Sequence, residues 1–102
     1  MASYYIEIEQ GNILRIRFGE PAQNDQIVKD AAECLDKLIK SKQILGGEVI
    51  RINGPVAVPV AMVLAHGLCH LYQAVACYDP KLTKYVVAIA HGDKYKVGDL
   101  ID

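Results

Sequence analysis

The residues best suited to chemistry gather in the second half of the chain. All three histidines lie there, and His66 and His70 stand four residues apart. On a helix that spacing projects both from one face. Imidazole titrates near neutrality and can act as acid, base, phosphate contact or metal ligand. The intervening Gly67-Leu68-Cys69 contains no glutamate, which excludes the H-E-x-x-H arrangement of a zinc protease. A shared metal, a shared phosphate or one histidine packed at a helix–sheet contact all remain open. Asp79 precedes Pro80 at the end of an apolar run, a position that makes a turn, orients a histidine or holds a divalent cation. Lys81 can pair with Asp79 or meet a phosphate. His91 closes another apolar run, just before Gly92-Asp93. In Asn53-Gly54-Pro55, glycine either makes a plain turn or lets backbone N–H groups reach an anion near a helix start.

These residues need elements to position them. Residues Tyr4 to Glu9 and Ile13 to Phe18 alternate polar and apolar side chains around Gly11-Asn12, which predicts a β-hairpin. Ile27, Val28, Ala31, Leu35, Leu38 and Ile39 recur at helical spacing, predicting a helix capped by Asn24 or Asp25 and stopped by Gly46-Gly47. A strand over Glu48 to Ile52 follows, then a second helix from about Pro59 to Tyr72, with Pro59 acceptable in its first turn. Strands over Ala74 to Tyr78 and Lys84 to Ala90 complete the order β-β-α-β-α-β-β. The expectation is a single α/β domain over residues 1–102, a mixed β-sheet with two helices in a Rossmann-like arrangement. Ligands of such sheets tend to sit beyond the C-terminal ends of parallel strands, which singles out the loops at Asn53-Gly54-Pro55 and Tyr78-Asp79-Pro80.

Composition narrows the partners. The chain has 102 residues, 52% of them hydrophobic and 23% charged, enough to bury a core and outside the range of disordered or collagen-like chains. Eleven basic against twelve acidic residues leave a net charge of −1, whereas a protein that coats long duplex DNA normally carries a basic excess. A short nucleic-acid ligand requires only a local basic patch. The stretch from Ile52 to Asp79, uncharged until that aspartate, is interrupted by prolines, histidines and Asn53-Gly54, so it reads as a strand-and-helix unit and not a membrane span. The start, MASYYIEIEQ, has no secretory pattern, and a cytoplasmic protein is expected. Cys34, Cys69 and Cys77 are odd in number and form no C-x-x-C, so they read as reduced, mostly buried thiols.

Taken together, Gly54-Pro55, a helix bearing Ala65-His66 and His70, the run Ala74-Val75-Ala76-Cys77-Tyr78-Asp79-Pro80-Lys81-Leu82, a strand ending in His91 and the final Val97-Gly98-Asp99-Leu100-Ile101-Asp102 resemble the small stand-alone ring nucleases of type III CRISPR systems. These are Csx-type proteins distantly related to the CRISPR-associated Rossmann-fold sensors. The resemblance covers Glu48 to Asp102 in residues, and only the order of elements before that. It implies an enzyme that cleaves cyclic tetra-adenylate and so switches off antiviral signalling, built as a homodimer with a second dimer closing over the ligand. It also implies manganese as a supporting ion, with His70 or Asp79 as possible ligands, and no organic cofactor. His70, Asp79 and His91 match the family's active-site positions. His66 has a histidine counterpart on the same helix. Lys81 stands where the family often has arginine, which keeps the charge and loses the bidentate fork. Asn53 and Gly54 are candidate phosphate contacts beside Lys81 and His66. The other reading is a non-catalytic sensor or regulatory module for the same messenger.

Overall fold

A computed structural model describes residues 2–10 and 12–102. Strands β1 (Tyr4–Glu9) and β2 (Ile13–Phe18) pair antiparallel from Tyr4↔Phe18 to Glu9↔Ile13, as their alternation predicts. Of the expected turn, Gly11 lies outside the described residues, while Gln10 adopts a positive φ of 49°. Ile6, Leu14 and Ile16 face the core, whereas Glu7, Glu9, Arg15 and Arg17 stand on the opposite face. There Glu9 pairs with Arg15 and Glu7 with Arg17.

Helix α1 spans Asn24–Lys40 and buries Ile27, Ala31 and Leu35. Both of its expected ends need correction. Its N-cap is Gln23, which makes no side-chain capping bond, and Asn24 and Asp25 lie inside the first turn, where Asp25 favours the positive end of the helix dipole. At the other end the chain stops well before Gly46-Gly47. Lys42 takes a left-handed φ of 63°, and its N–H reaches the Ile39 carbonyl while the Gln43 N–H reaches that of Leu38. This is the Schellman closure usually built on glycine, here made by a lysine. It turns the chain so that Ile44 is buried.

Strand β3 (Gly47–Asn53), helix α2 (Val58–Cys69) and strands β4 (Tyr72–Asp79) and β5 (Lys84–Ala90) follow. A two-residue strand β6 (Leu100–Ile101), absent from the expected order, pairs with β5 at the sheet edge. Helix α2 ends at Cys69 and not near Tyr72, because Tyr72 is buried in the sheet and pairs with Gly47. The result is a mixed α/β fold with one six-stranded sheet in the order β1-β2-β3-β4-β5-β6. Strands β2, β3 and β4 are parallel, while β1, β5 and β6 run antiparallel to their neighbours.

Two successive crossovers between adjacent parallel strands step across the sheet in one direction and place both helices on one face, where α1 packs against α2. A Cβ on Gly67 would lie 2.6 Å from Leu35 Cδ2, so glycine permits that helix approach. The main core joins Ile27, Ala31 and Leu35 of α1 and Val60, Leu64 and Leu68 of α2 to the strands beneath them. A smaller cluster on the other face gathers Val49, Ala74, Ala76 and Val87 under Tyr85 and Tyr95. Among the described residues no helix is long and apolar enough to cross a membrane.

Candidate functional site

The candidate residues fall into two groups at opposite ends of β4. His70 is the C-cap of α2, and Leu71 closes the turn by donating its N–H to the Leu68 carbonyl. His91 directly follows β5. Because β5 runs antiparallel to β4, with Ala74 opposite Ala90, the end of one strand lies beside the start of the other. The His91 N–H donates to the Gln73 carbonyl at 2.7 Å. His70 and His91 therefore line one open concavity of about 740 Å³, shared with Glu48 and Gln73. His66 stands one turn back, its ring edge-to-face with that of His70 at 5.0 Å between centroids, and borders the groove between α1 and α2. All three imidazoles are exposed, so none is the packed core histidine that the sequence left open.

Glu48 and Gln73 were not among the residues expected to act. Glu48 accepts a 2.6 Å hydrogen bond from the Lys94 ammonium, which holds Lys94 above its ordinary value. Its position becomes legible only through the parallel register of β3 and β4, which sets Gly47 opposite Tyr72.

Asn53, Gly54, Asp79 and Lys81 occupy the other end, where parallel β3 and β4 both terminate. Eight extended residues from Tyr72 to Asp79 span about 23 Å, so a single chain does not bring Asp79 or Lys81 to His70 and His91. One carboxylate oxygen of Asp79, Oδ1, accepts the backbone N–H of Lys81 at 2.8 Å and of Leu82 at 3.2 Å. Asp79 thus builds the turn, and Lys81, an exposed residue, meets it through its main chain. Asn53 Nδ2 donates to the Tyr85 hydroxyl at 3.4 Å, and the Tyr85 ring stands edge-on to Tyr78 at 5.2 Å.

Gly54 has a structural duty of its own. Its φ is +140°, and a Cβ there would come within 1.9 Å of the Ile16 carbonyl oxygen. Nearby, fully buried Tyr4 donates its hydroxyl to the Pro55 carbonyl at 2.7 Å, tying β1 to the loop after β3. Burial pushes this phenol up to about 12. The folded chain therefore holds the proton more tightly than the unfolded one. The resulting stability is complete below the unfolded value of about 10 and is lost as pH rises through about 12. Tyr4→Phe is expected to flatten the melting temperature against pH between those values. An alkaline limb identical to the parent's would show that another group governs it.

The cysteines are unpaired, and Cys34 and Cys69 are partly buried, but Cys77 is reached by solvent and departs from the expected burial. Desolvation by its apolar surroundings still raises its thiol above the ordinary value.

Among the described residues no three histidine, cysteine, aspartate or glutamate side chains converge to hold a metal ion. His70 and Asp79, the suggested ligands, are separated by the length of β4. The residues of one chain do not fit a manganese ion.

Residues 23–102 match the model of the family described as CRISPR-associated protein (Cas_csx3). The chain belongs to that family. The Cas_csx3 match begins 25 residues before Glu48, where the resemblance in individual residues starts, and so takes in all of α1. No curated protein and no solved structure matches the chain.

Proposed function

We propose that this Cas_csx3 chain is a ring nuclease, a phosphodiesterase that opens cyclic tetra-adenylate and thereby ends type III CRISPR signalling. The observation that carries this reading is the meeting of His70 and His91 at one open concavity in a chain of a CRISPR-associated family. Transesterification of RNA needs a base to take the proton of a ribose 2′-hydroxyl as its oxygen bonds to the adjacent phosphorus. An acid must protonate the 5′-oxygen as the P–O5′ bond breaks, leaving a 2′,3′-cyclic phosphate and a 5′-hydroxyl. Two solvent-facing imidazoles at one surface supply groups of the kind such a pair requires.

The opposite end of the sheet offers complementary recognition. Lys81, Asn53 and the start of α2 all lie at the end of the sheet where β3 and β4 terminate. Helix α2 has no side-chain cap and no acidic residue in its first turn, which suits phosphate. For both ends to serve one ligand, the second end must come from another chain. A homodimer that meets a second dimer across the ring satisfies this requirement, and a cyclic ligand of repeated units suits such symmetry. The engagement of Asp79 in its own turn, far from the histidines, favours the second reading, a binding module that holds the messenger without cutting it. Incubation of cyclic tetra-adenylate with the protein, with and without Mn²⁺, followed by chromatography of the products, separates the two. Linear or cyclic-phosphate-ended products support the nuclease, and intact ligand bound to protein supports the module.

Phosphate contact by Lys81 has its own signature. The slope of log affinity against log salt should be shallow and should fall by roughly 0.7 in Lys81→Ala. An unchanged slope removes Lys81 from the phosphate contacts.

A further inference from the structure

Two polar residues of the histidine concavity, Glu48 and Gln73, take no part in the acid–base chemistry. They differ in how far their side chains are committed. Glu48 is paired with the Lys94 ammonium at 2.6 Å. Cys69 donates its thiol to the His66 carbonyl, and Tyr72 is buried. Gln73 is exposed at the start of β4, and among the described residues no donor or acceptor engages its side-chain amide. Gly92 fixes where that amide lies. A Cβ on Gly92 would stand 2.6 Å from Gln73 Oε1 and 3.3 Å from its Cδ, so the amide rests against the residue that follows His91.

We infer that Gln73 reads the adenine base of the nucleotide held at His70 and His91, with Gly92 positioning its amide. The inference rests on the proposed nuclease reading and names what sets its base preference. A carboxamide carries a donor and an acceptor side by side. Adenine presents the complementary pair, an N6 amino donor beside the N7 acceptor, whereas guanine sets two acceptors, O6 and N7, at the same edge. Gln73 therefore matches adenine with both halves of its amide and guanine with one. Its place suits the chemistry as well. In transesterification the attacking 2′-hydroxyl and the base belong to one nucleotide, so a base reader must stand beside the acid–base groups. The Gln73 carbonyl accepts the His91 N–H at 2.7 Å, and the concavity of about 740 Å³ lies within the range of small-ligand sites.

The test compares cyclic tetra-adenylate with its 7-deaza analogue, in which CH replaces each N7 and every other group is kept. The parent is expected to bind and cut the analogue on the order of 10- to 100-fold less well, the discrimination usual for a bidentate base contact. Gln73→Leu should lose a similar factor on cyclic tetra-adenylate and treat the two ligands alike. A merely structural role for Gln73 would leave the ratio between them unmoved. Gly92→Ala should also shrink that ratio, because its methyl group displaces the amide. Its melting temperature should stay near the parent's, since the displaced atoms end a flexible side chain. An undiminished ratio in Gly92→Ala removes Gly92 from the positioning. A Gln73→Leu protein that keeps the parental ratio overturns the inference and leaves the nuclease reading standing. A parent that treats both ligands alike overturns it too. A parent that binds with the expected preference, loses it in Gln73→Leu and cuts neither ligand upholds the base contact and removes the nuclease. A parent that neither binds nor cuts either ligand overturns both.

Discussion

His70→Ala is expected to lower the single-turnover rate of cyclic tetra-adenylate cleavage by roughly 10²–10⁴ while leaving ligand affinity nearly intact. The first figure is the usual contribution of a positioned acid or base. The second follows because a proton-transfer group acts mainly in the transition state. The structure strengthens the test by weakening the competing explanation. His70 is exposed at the C-cap of α2, so its removal should change stability by no more than about 0.5 kcal/mol, and a packing defect cannot imitate the loss. His91→Ala should behave alike. If the two histidines act as one acid–base pair, the double variant should lose much less than the product of the single effects. His66→Ala, which touches His70 only through its ring edge, should do less than either. A His70→Ala protein that melts normally, binds normally and still cuts at the parental rate would remove His70 from the chemistry.

The reach of the sequence differed between elements for physical reasons. The hairpin strands were legible because alternating side chains follow the pleat directly, and β5 because its run of apolar and β-branched residues lies between a turn and Gly92. The end of α1 was not, since the residue that adopts the left-handed turn is Lys42 and the glycines that advertise a stop come later. Nor was β6, whose two residues are too few to show a period. His70 and His91 were each visible, but their meeting depends on the antiparallel register of β4 and β5. The reverse holds for Asp79. Nine positions from His70, it looks like a neighbour, yet most of the interval is extended strand and carries it to the far end of the sheet. Nearness along the chain here means distance in space.

Gly54→Ala should be the most damaging single methyl group in the protein. Two costs combine at this residue. A φ of +140° lies in a region open essentially to glycine, worth about 1–3 kcal/mol of strain for other residues. In addition, the new Cβ would sit 1.9 Å from the Ile16 carbonyl oxygen. That atom belongs to β2, which is paired on both sides, so it has no flexible end to move away. Together these place the expected loss at roughly 3–5 kcal/mol, in the exceptional tail of single substitutions, or a fall in melting temperature on the order of 15 °C or more. The outcome bears on how the Asn53-Gly54-Pro55 loop is read. If glycine is kept only for anion contact, Gly54→Ala should melt near the parent and lose ligand affinity alone. If close packing on Ile16 requires it, stability falls first, in the absence of any ligand. Thermal melts of the ligand-free variant decide between these, and a parental melting temperature would refute the steric account.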